Sequence, residues 1–332
     1  MTTVVRPLVE AIGGRVTAQT PVWVMRQAGR YLPEYRALRQ SVPFQEAVAT
    51  PSVAAEITCQ PIERYGMDGA VIFADIMTPL EAMGVEMDFD PGPRLRPHTL
   101  EEIVALPTLD SERVSFVSET VRRVRAEVPS TTAVIGFAGA PFTLLAYLVE
   151  GGGSKDFVSA RGAVRRQPAL AAEALSGLAR SMHTYLAMQV GAGADVVQLF
   201  DSWAGVVDRE TFGALVTPAA RSTLEGLAAP SIYFAPHATH TLDLQSRVGA
   251  TAYGVDWRTP IDEAWDRIGA SAVQGNLDPA VLLTDPETIF AEVTAVKGRV
   301  AGRPGHVFNL GHGIDRHTPP DNLGAMVQAV RS

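Results

Sequence analysis

Eight short apolar runs, each bounded by Gly, Pro or Asp, constrain this chain more than any other feature. They are Val22 to Met25, Ala70 to Phe73, Ala133 to Phe137, Val196 to Phe200, Ser231 to Phe234, Ala252 to Val255, Ala272 to Gln274, and His306 to Leu310. The segments between them follow a helical period. Pro168 to Val190 is the clearest: Leu170, Leu175, Leu178, Met182, Tyr185 and Leu186 fall on one stripe, and Gly191 follows as a stop. Ser111 to Val128 is a second, opened by Asp110 or Ser111 and closed before Pro129, and a third is capped by Asp285 and runs from Pro286 to about Val300. Strands alternating with helices eight times predict a (β/α)8 barrel, a single domain over residues 1–332. A doubly wound open sheet is the competing arrangement. It would normally carry GxGxxG after its first strand, and that motif is absent there.

In a barrel the chemistry sits where the strands end. Past the eight runs come Arg26; Asp75; Gly139 with Pro141; Asp201 and Ser202; His237; Asp256; Asn276 and Asp278; and Gly311, His312 and Gly313. The strand entries Gly66 to Gly69, Gly191 to Asp195 and Gly249 to Thr251 are short and small by contrast, which separates a working face from a structural one.

The exit of the first run carries the strongest local signal. In PVWVMRQAGRYLPEYR, Arg26 and Arg30 flank Gln27, Ala28 and Gly29. Guanidinium groups offer fixed N–H donors that suit carboxylate or phosphate, and Gly29 lets the backbone turn so that both heads converge. The competing reading leaves both arginines exposed and paired with Glu34 and other surface acids. Charge balance sharpens the choice. The net charge is -8 and the pI about 5.4, so an anionic ligand needs a local arginine cluster to overcome a repulsive field. No basic stripe of a nucleic-acid binder is present, and no run of apolar residues is long enough to span a membrane. The first residues lack the apolar core of a secretory signal, and Cys59 is the only cysteine, both of which fit the cytoplasm.

Four further residues stand at strand exits or beside them, each with two readings. Asp75, in FADIM, is either a capping residue or a carboxylate kept charged by nearby arginines, able to accept N–H bonds from a ligand. Tyr147, in a short helix opened by Pro141, is either a core tyrosine with a satisfied hydroxyl or a phenol reaching the barrel mouth. The Gly151 to Gly153 triplet after it lacks the ending of a phosphate loop and reads as a flexible hinge. Ser202 lacks the GxSxG elbow, so it is a turn residue or a hydrogen-bond partner rather than a nucleophile. His312, between two glycines, either is a bystander or binds a carboxylate or manages a proton. His237 and His240 are three apart and HExxH is absent, so the sequence supports no metal site.

MRQAGRYLPEYR, the FADI segment, GFAGAPFTLLAYLVEGGGSK, QLFDSWAG, QGNLDP and FNLGHG occur in this order along nearly the whole chain. Together they resemble the uroporphyrinogen decarboxylase family. The resemblance implies a homodimeric (β/α)8 barrel that needs no cofactor. It implies a tetrapyrrole substrate with eight carboxylates, uroporphyrinogen, whose four acetates lose CO2 and become methyls to give coproporphyrinogen. By likeness, Arg26, Gln27, Ala28, Gly29, Arg30, Asp75, Tyr147, Ser202 and His312 bind that substrate, with Asp75 and Arg26 catalytic. Pro236 and His237 stand where many bacterial members carry a Lys-Gly pair. Ile314, Asp315, Arg316 and His317 stand where a Leu-Pro pair often follows GHG. Two alternatives accompany this reading: a zinc-dependent thiol methyltransferase on a related barrel, and a tetrapyrrole-binding carrier without catalysis.

Overall fold

The computed structural model describes residues 4–89 and 92–332. Seven of the eight runs form one parallel sheet: β1 (Gly69–Val71), β2 (Ala133–Gly139), β3 (Val196–Phe200), β4 (Ser231–Phe234), β5 (Ala252–Gly254), β6 (Val273–Leu277) and β7 (His306–Leu310). Each strand pairs with the next in the chain, from Gly69 beside Ala133 to Val273 beside His306. No switch point interrupts the order, so the doubly wound alternative does not apply. Helices fill the connections, and β2 is buried along its whole length, as a parallel sheet covered on both faces requires. Among the described residues no helix is long and apolar enough to cross a membrane.

The first run departs from a regular strand. Val22 makes an isolated parallel bridge to Phe308. Its segment nevertheless bonds to both sheet edges: Phe308 N donates to Pro21 O at 2.9 Å, and Asp68 N donates to Val22 O at 2.9 Å. The run cannot extend because the chain turns away at once. Arg26 adopts φ 64, in the left-handed region, and Gln27 folds back so that its Oε1 accepts from Val24 N at 3.1 Å. A buried polar chain crosses from this run to strands that are not its neighbours. Trp23 Nε1 donates to Gln274 at 2.9 Å, and Gln274 donates to Gln198 at 3.1 Å.

Local signals fix the helix ends. Asp285 accepts from Thr288 N at 2.9 Å and Pro286 opens the helix Pro286–Arg299. Asp110 caps a short 3-10 turn ahead of the helix Ser115–Glu127, and Pro168–Gly191 is one unbroken helix. Pro141–Glu150 ends on Gly151 at φ 77. The glycine triplet is not the hinge expected of it. Leu95 N donates to Gly151 O at 3.1 Å, and Gly152 bridges Arg94 in an antiparallel hairpin, Met87–Phe89 with Pro93–Leu95. A Cβ on Gly151 would lie 2.8 Å from Leu95 O and one on Gly152 2.8 Å from Pro93 O, so these two glycines, though not Gly153, serve a close backbone approach.

Candidate active site

Arg26 leaves the first run in a conformation that few side chains adopt, and it is exposed. Glu34, the acid expected to neutralise it, pairs instead with Arg64 at 2.6 Å. Among the described residues neither Arg26 nor Arg30 forms an ion pair. Arg36 is spent on the backbone, donating to Arg30 O at 3.0 Å and Tyr31 O at 3.1 Å. Gln27 is fully buried, and its Nε2 donates to Gly69 O at 2.8 Å. Its side chain therefore locks the turn to β1 rather than facing a ligand. Ala28 and Gly29 complete the turn, and a Cβ on Gly29 would lie 2.9 Å from Arg26 O.

Asp75 follows β1 and is half-buried. Its Oδ1 accepts from Met77 N at 2.8 Å, so the capping reading holds for one oxygen. The other has no hydrogen-bond partner among the described residues. Burial raises the pKa of this carboxyl above its usual range, while the Met77 bond and the charge of Arg26 offset part of the rise. One wall of a cavity of about 340 Å³, lined also by Phe44, Thr78, Glu81 and Arg113, is formed by Asp75.

Tyr147 is half-buried against Trp203, with ring centroids 6.0 Å apart. Burial raises its phenol pKa, and the charges of Asp75 and Arg26 act on it in opposite senses. His312 follows β7, and burial lowers its pKa to about 4, reinforced by Arg26, His237 and Arg258. It is a neutral imidazole at neutral pH. Gly313 makes room for the arginine beside it, since a Cβ there would sit 2.5 Å from Arg26 Cδ. Arg26 thus acts electrostatically on Asp75, Tyr147 and His312 together. Trp203, the residue after Ser202, packs on Tyr147.

Sequence reasoning overlooked the support beneath Ser202. Asp201 is fully buried; it accepts from Thr143 Oγ1 at 2.9 Å and from Tyr233 at 2.7 Å, while Thr143 accepts from Trp203 N at 3.1 Å. Burial pushes the Asp201 carboxyl up to about 6. The acid adjoining Ser202 in LFDSW was the available signal. The residues after GHG close on the first run: Ile314 N donates to Met25 O at 3.0 Å. Among the described residues no group of three or more His, Cys, Asp or Glu side chains is placed to hold a metal ion.

A pH test follows from His312. Its pKa is depressed on folding, from 6.5 to about 4, so the unfolded chain takes up a proton in that window that the folded chain refuses. Its contribution to stability is intact above pH 6.5 and lost as pH falls toward 4. Relative to the wild type, the urea midpoint of His312→Gln is therefore expected to rise as pH drops from about 7 to about 5. A constant difference across that range would refute it.

The chain matches the family described as Uroporphyrinogen decarboxylase (URO-D) over residues 5–332. The protein named uroporphyrinogen decarboxylase in Syntrophotalea carbinolica is 43% identical to it, over 97% of this chain and 96% of that protein. The namesake in Streptomyces avermitilis is 43% identical over 94% of this chain and 90% of its own length. Among solved structures, a methyltransferase from Methanosarcina mazei superposes with a TM-score of 0.83 at 20% identity, covering 98% of this chain and 97% of that one. That likeness speaks to the fold alone.

Proposed function

Because this chain belongs to the uroporphyrinogen decarboxylase family, a carboxy-lyase family of porphyrin biosynthesis, we propose that Arg26, Arg30, Asp75, Tyr147, Ser202 and His312 carry its reaction on uroporphyrinogen III. Each acetate arm loses CO2 and becomes a methyl, and four such steps give coproporphyrinogen III. The thiol-methyltransferase alternative is not favoured, since the relatives that span the chain bear the decarboxylase name.

Breaking the C–C bond to the carboxylate releases an electron pair that needs a sink. A pyrrole protonated at its ring carbon accepts the pair and CO2 leaves. A proton then adds to the exocyclic methylene to complete the methyl, and the ring-carbon proton departs to restore the pyrrole, so each step consumes one proton net. The protonated ring is cationic. Asp75 stabilises it by accepting the inward-facing pyrrole N–H groups, and its own ionisation becomes easier as that charge develops. Arg26 and Arg30 hold carboxylate arms, and a neutral His312 offers a hydrogen bond beside them. Arginine is a poor general acid because its pKa is so high, so positioning is the role assigned to it.

One observation carries this reading. Asp75 is a half-buried carboxylate with one oxygen unbonded among the described residues, under the field of an arginine that has no ion pair among them. The same reading takes residues 1–332 as one barrel domain. The bonds from the first run to both sheet edges, and the Trp23–Gln274–Gln198 chain across the interior, support closure with that run as an eighth strand. A homodimer in the cytoplasm is what the family likeness suggests.

Incubation with uroporphyrinogen III under reducing conditions tests the proposal. The expected product retains four carboxylates. Recovery of intact eight-carboxylate substrate after long incubation would favour the carrier instead.

A further inference from the structure

The loop leaving β5 carries a basic group for which the reaction as derived has no use. Asp256, Trp257 and Arg258 follow that strand almost directly. Asp256 is 7% exposed and both its oxygens are committed. Oδ1 accepts from Arg258 N at 2.8 Å; Oδ2 accepts from His237 N at 2.6 Å and from Arg258 Nη1 at 3.3 Å. One carboxylate thus ties the exits of β4 and β5 together and holds His237 at φ 60.

The Arg258 guanidinium lies over the Trp257 ring, 3.7 Å from its centroid. Trp257 packs edge-to-face with His312 at 6.0 Å and with His237 at 6.2 Å. Gly311 permits this, since a Cβ there would collide with Trp257 N. Stacking occupies the face of a guanidinium and leaves its in-plane donors free, already oriented. A single side-chain bond to Asp256 uses one of five such donors. His312 therefore lies within the field of two guanidinium groups, Arg26 from the first run and Arg258 from the loop after β5. Asp256 forms an ion pair with Arg258 through a single guanidinium donor at 3.3 Å and spends its other acceptor sites on backbone N–H groups, so the remaining donors of the guanidinium are free to take a second carboxylate.

We propose that Arg258, laid flat on Trp257 beside His237, is a second carboxylate anchor of the substrate pocket. It holds an arm of the macrocycle that Arg26 and Arg30 do not hold. A ring with carboxylates around its whole perimeter needs anchors on more than one side to stay in register while a single acetate reacts. The inference rests on the assignment of the reaction above.

The test compares wild type, Arg258→Gln and Arg258→Lys in steady-state assays with uroporphyrinogen, with thermal midpoints measured alongside. Arg258→Gln is expected to raise KM about tenfold with kcat within about twofold, the signature of lost uniform binding. Arg258→Lys keeps the charge but loses the planar fork, so its KM is expected to rise about threefold. Should Arg258→Gln fail to fold, Arg258→Lys decides the question alone. Wild-type KM in the folded variants, or a fall in kcat at unchanged KM, overturns the anchor while the reaction assignment stands. A wild type that leaves uroporphyrinogen intact removes the reaction assignment and the anchor together.

Discussion

Asp75→Asn is expected to lower kcat on uroporphyrinogen by roughly 100-fold or more while leaving the thermal midpoint near wild type. The substitution separates the two roles of this side chain. Oδ1 accepts from Met77 N, and the amide oxygen of asparagine can accept the same bond, so the turn after β1 survives. What disappears is the charge. Burial already makes that charge costly in the free protein, and the Arg26 field relieves only part of the cost. On the proposed mechanism the remainder is recovered when positive charge appears on the pyrrole, in the transition state and not in the bound ground state. An interaction of that timing acts on kcat rather than KM. Asp75→Glu keeps the charge but moves it by a methylene, and it is expected to lose turnover too, with some loss of stability as the Met77 bond is displaced. Near-wild-type turnover by Asp75→Asn would show that the carboxylate charge takes no part in the reaction.

Much of this arrangement was legible because local chemistry and position coincide. Apolar runs bounded by Gly, Pro and Asp became strands in chain order, since a parallel sheet buried on both faces needs continuous apolar segments. Asp285 and Pro286 marked a helix start because those residues act on the nearest turn. What stayed hidden depends on residues far apart in the chain. Gln27 lies within the arginine signature, yet its amide is consumed by Gly69 O, 42 positions away. The glycine triplet looked like a hinge until the hairpin around Leu95 closed on it. Asp201 looked like one more strand-end acid, and only Tyr233 and Thr143 reveal it as a buried brace. Arg258 is invisible to motif reading, because its significance comes from Trp257 beneath it and His312 beyond.

Arg26→Gly should separate stability from function in the opposite way to an ordinary active-site change. At φ 64 a non-glycine residue crowds its own carbonyl, at a cost of roughly 1–2 kcal/mol. Glycine removes that strain and adds back roughly 0.5–1 kcal/mol of unfolded-state entropy. The arginine side chain is exposed and forms no ion pair among the described residues, so little else is lost on removing it. The variant is therefore expected to match or exceed wild-type stability by up to about 1 kcal/mol in urea unfolding. Its kcat/KM on uroporphyrinogen is expected to fall by roughly 100-fold, with KM raised and kcat reduced, since both the carboxylate grip and the field on Asp75 disappear. Arg26→Lys keeps a cation on the strained backbone and should fall between the two in activity without the gain in stability. A strained arginine without an ion pair among the described residues fits the proposed role of holding a ligand carboxylate. If Arg26→Gly kept full activity, or if it unfolded more readily than Arg26→Lys, the strain at this position would have to belong to the architecture and not to the ligand.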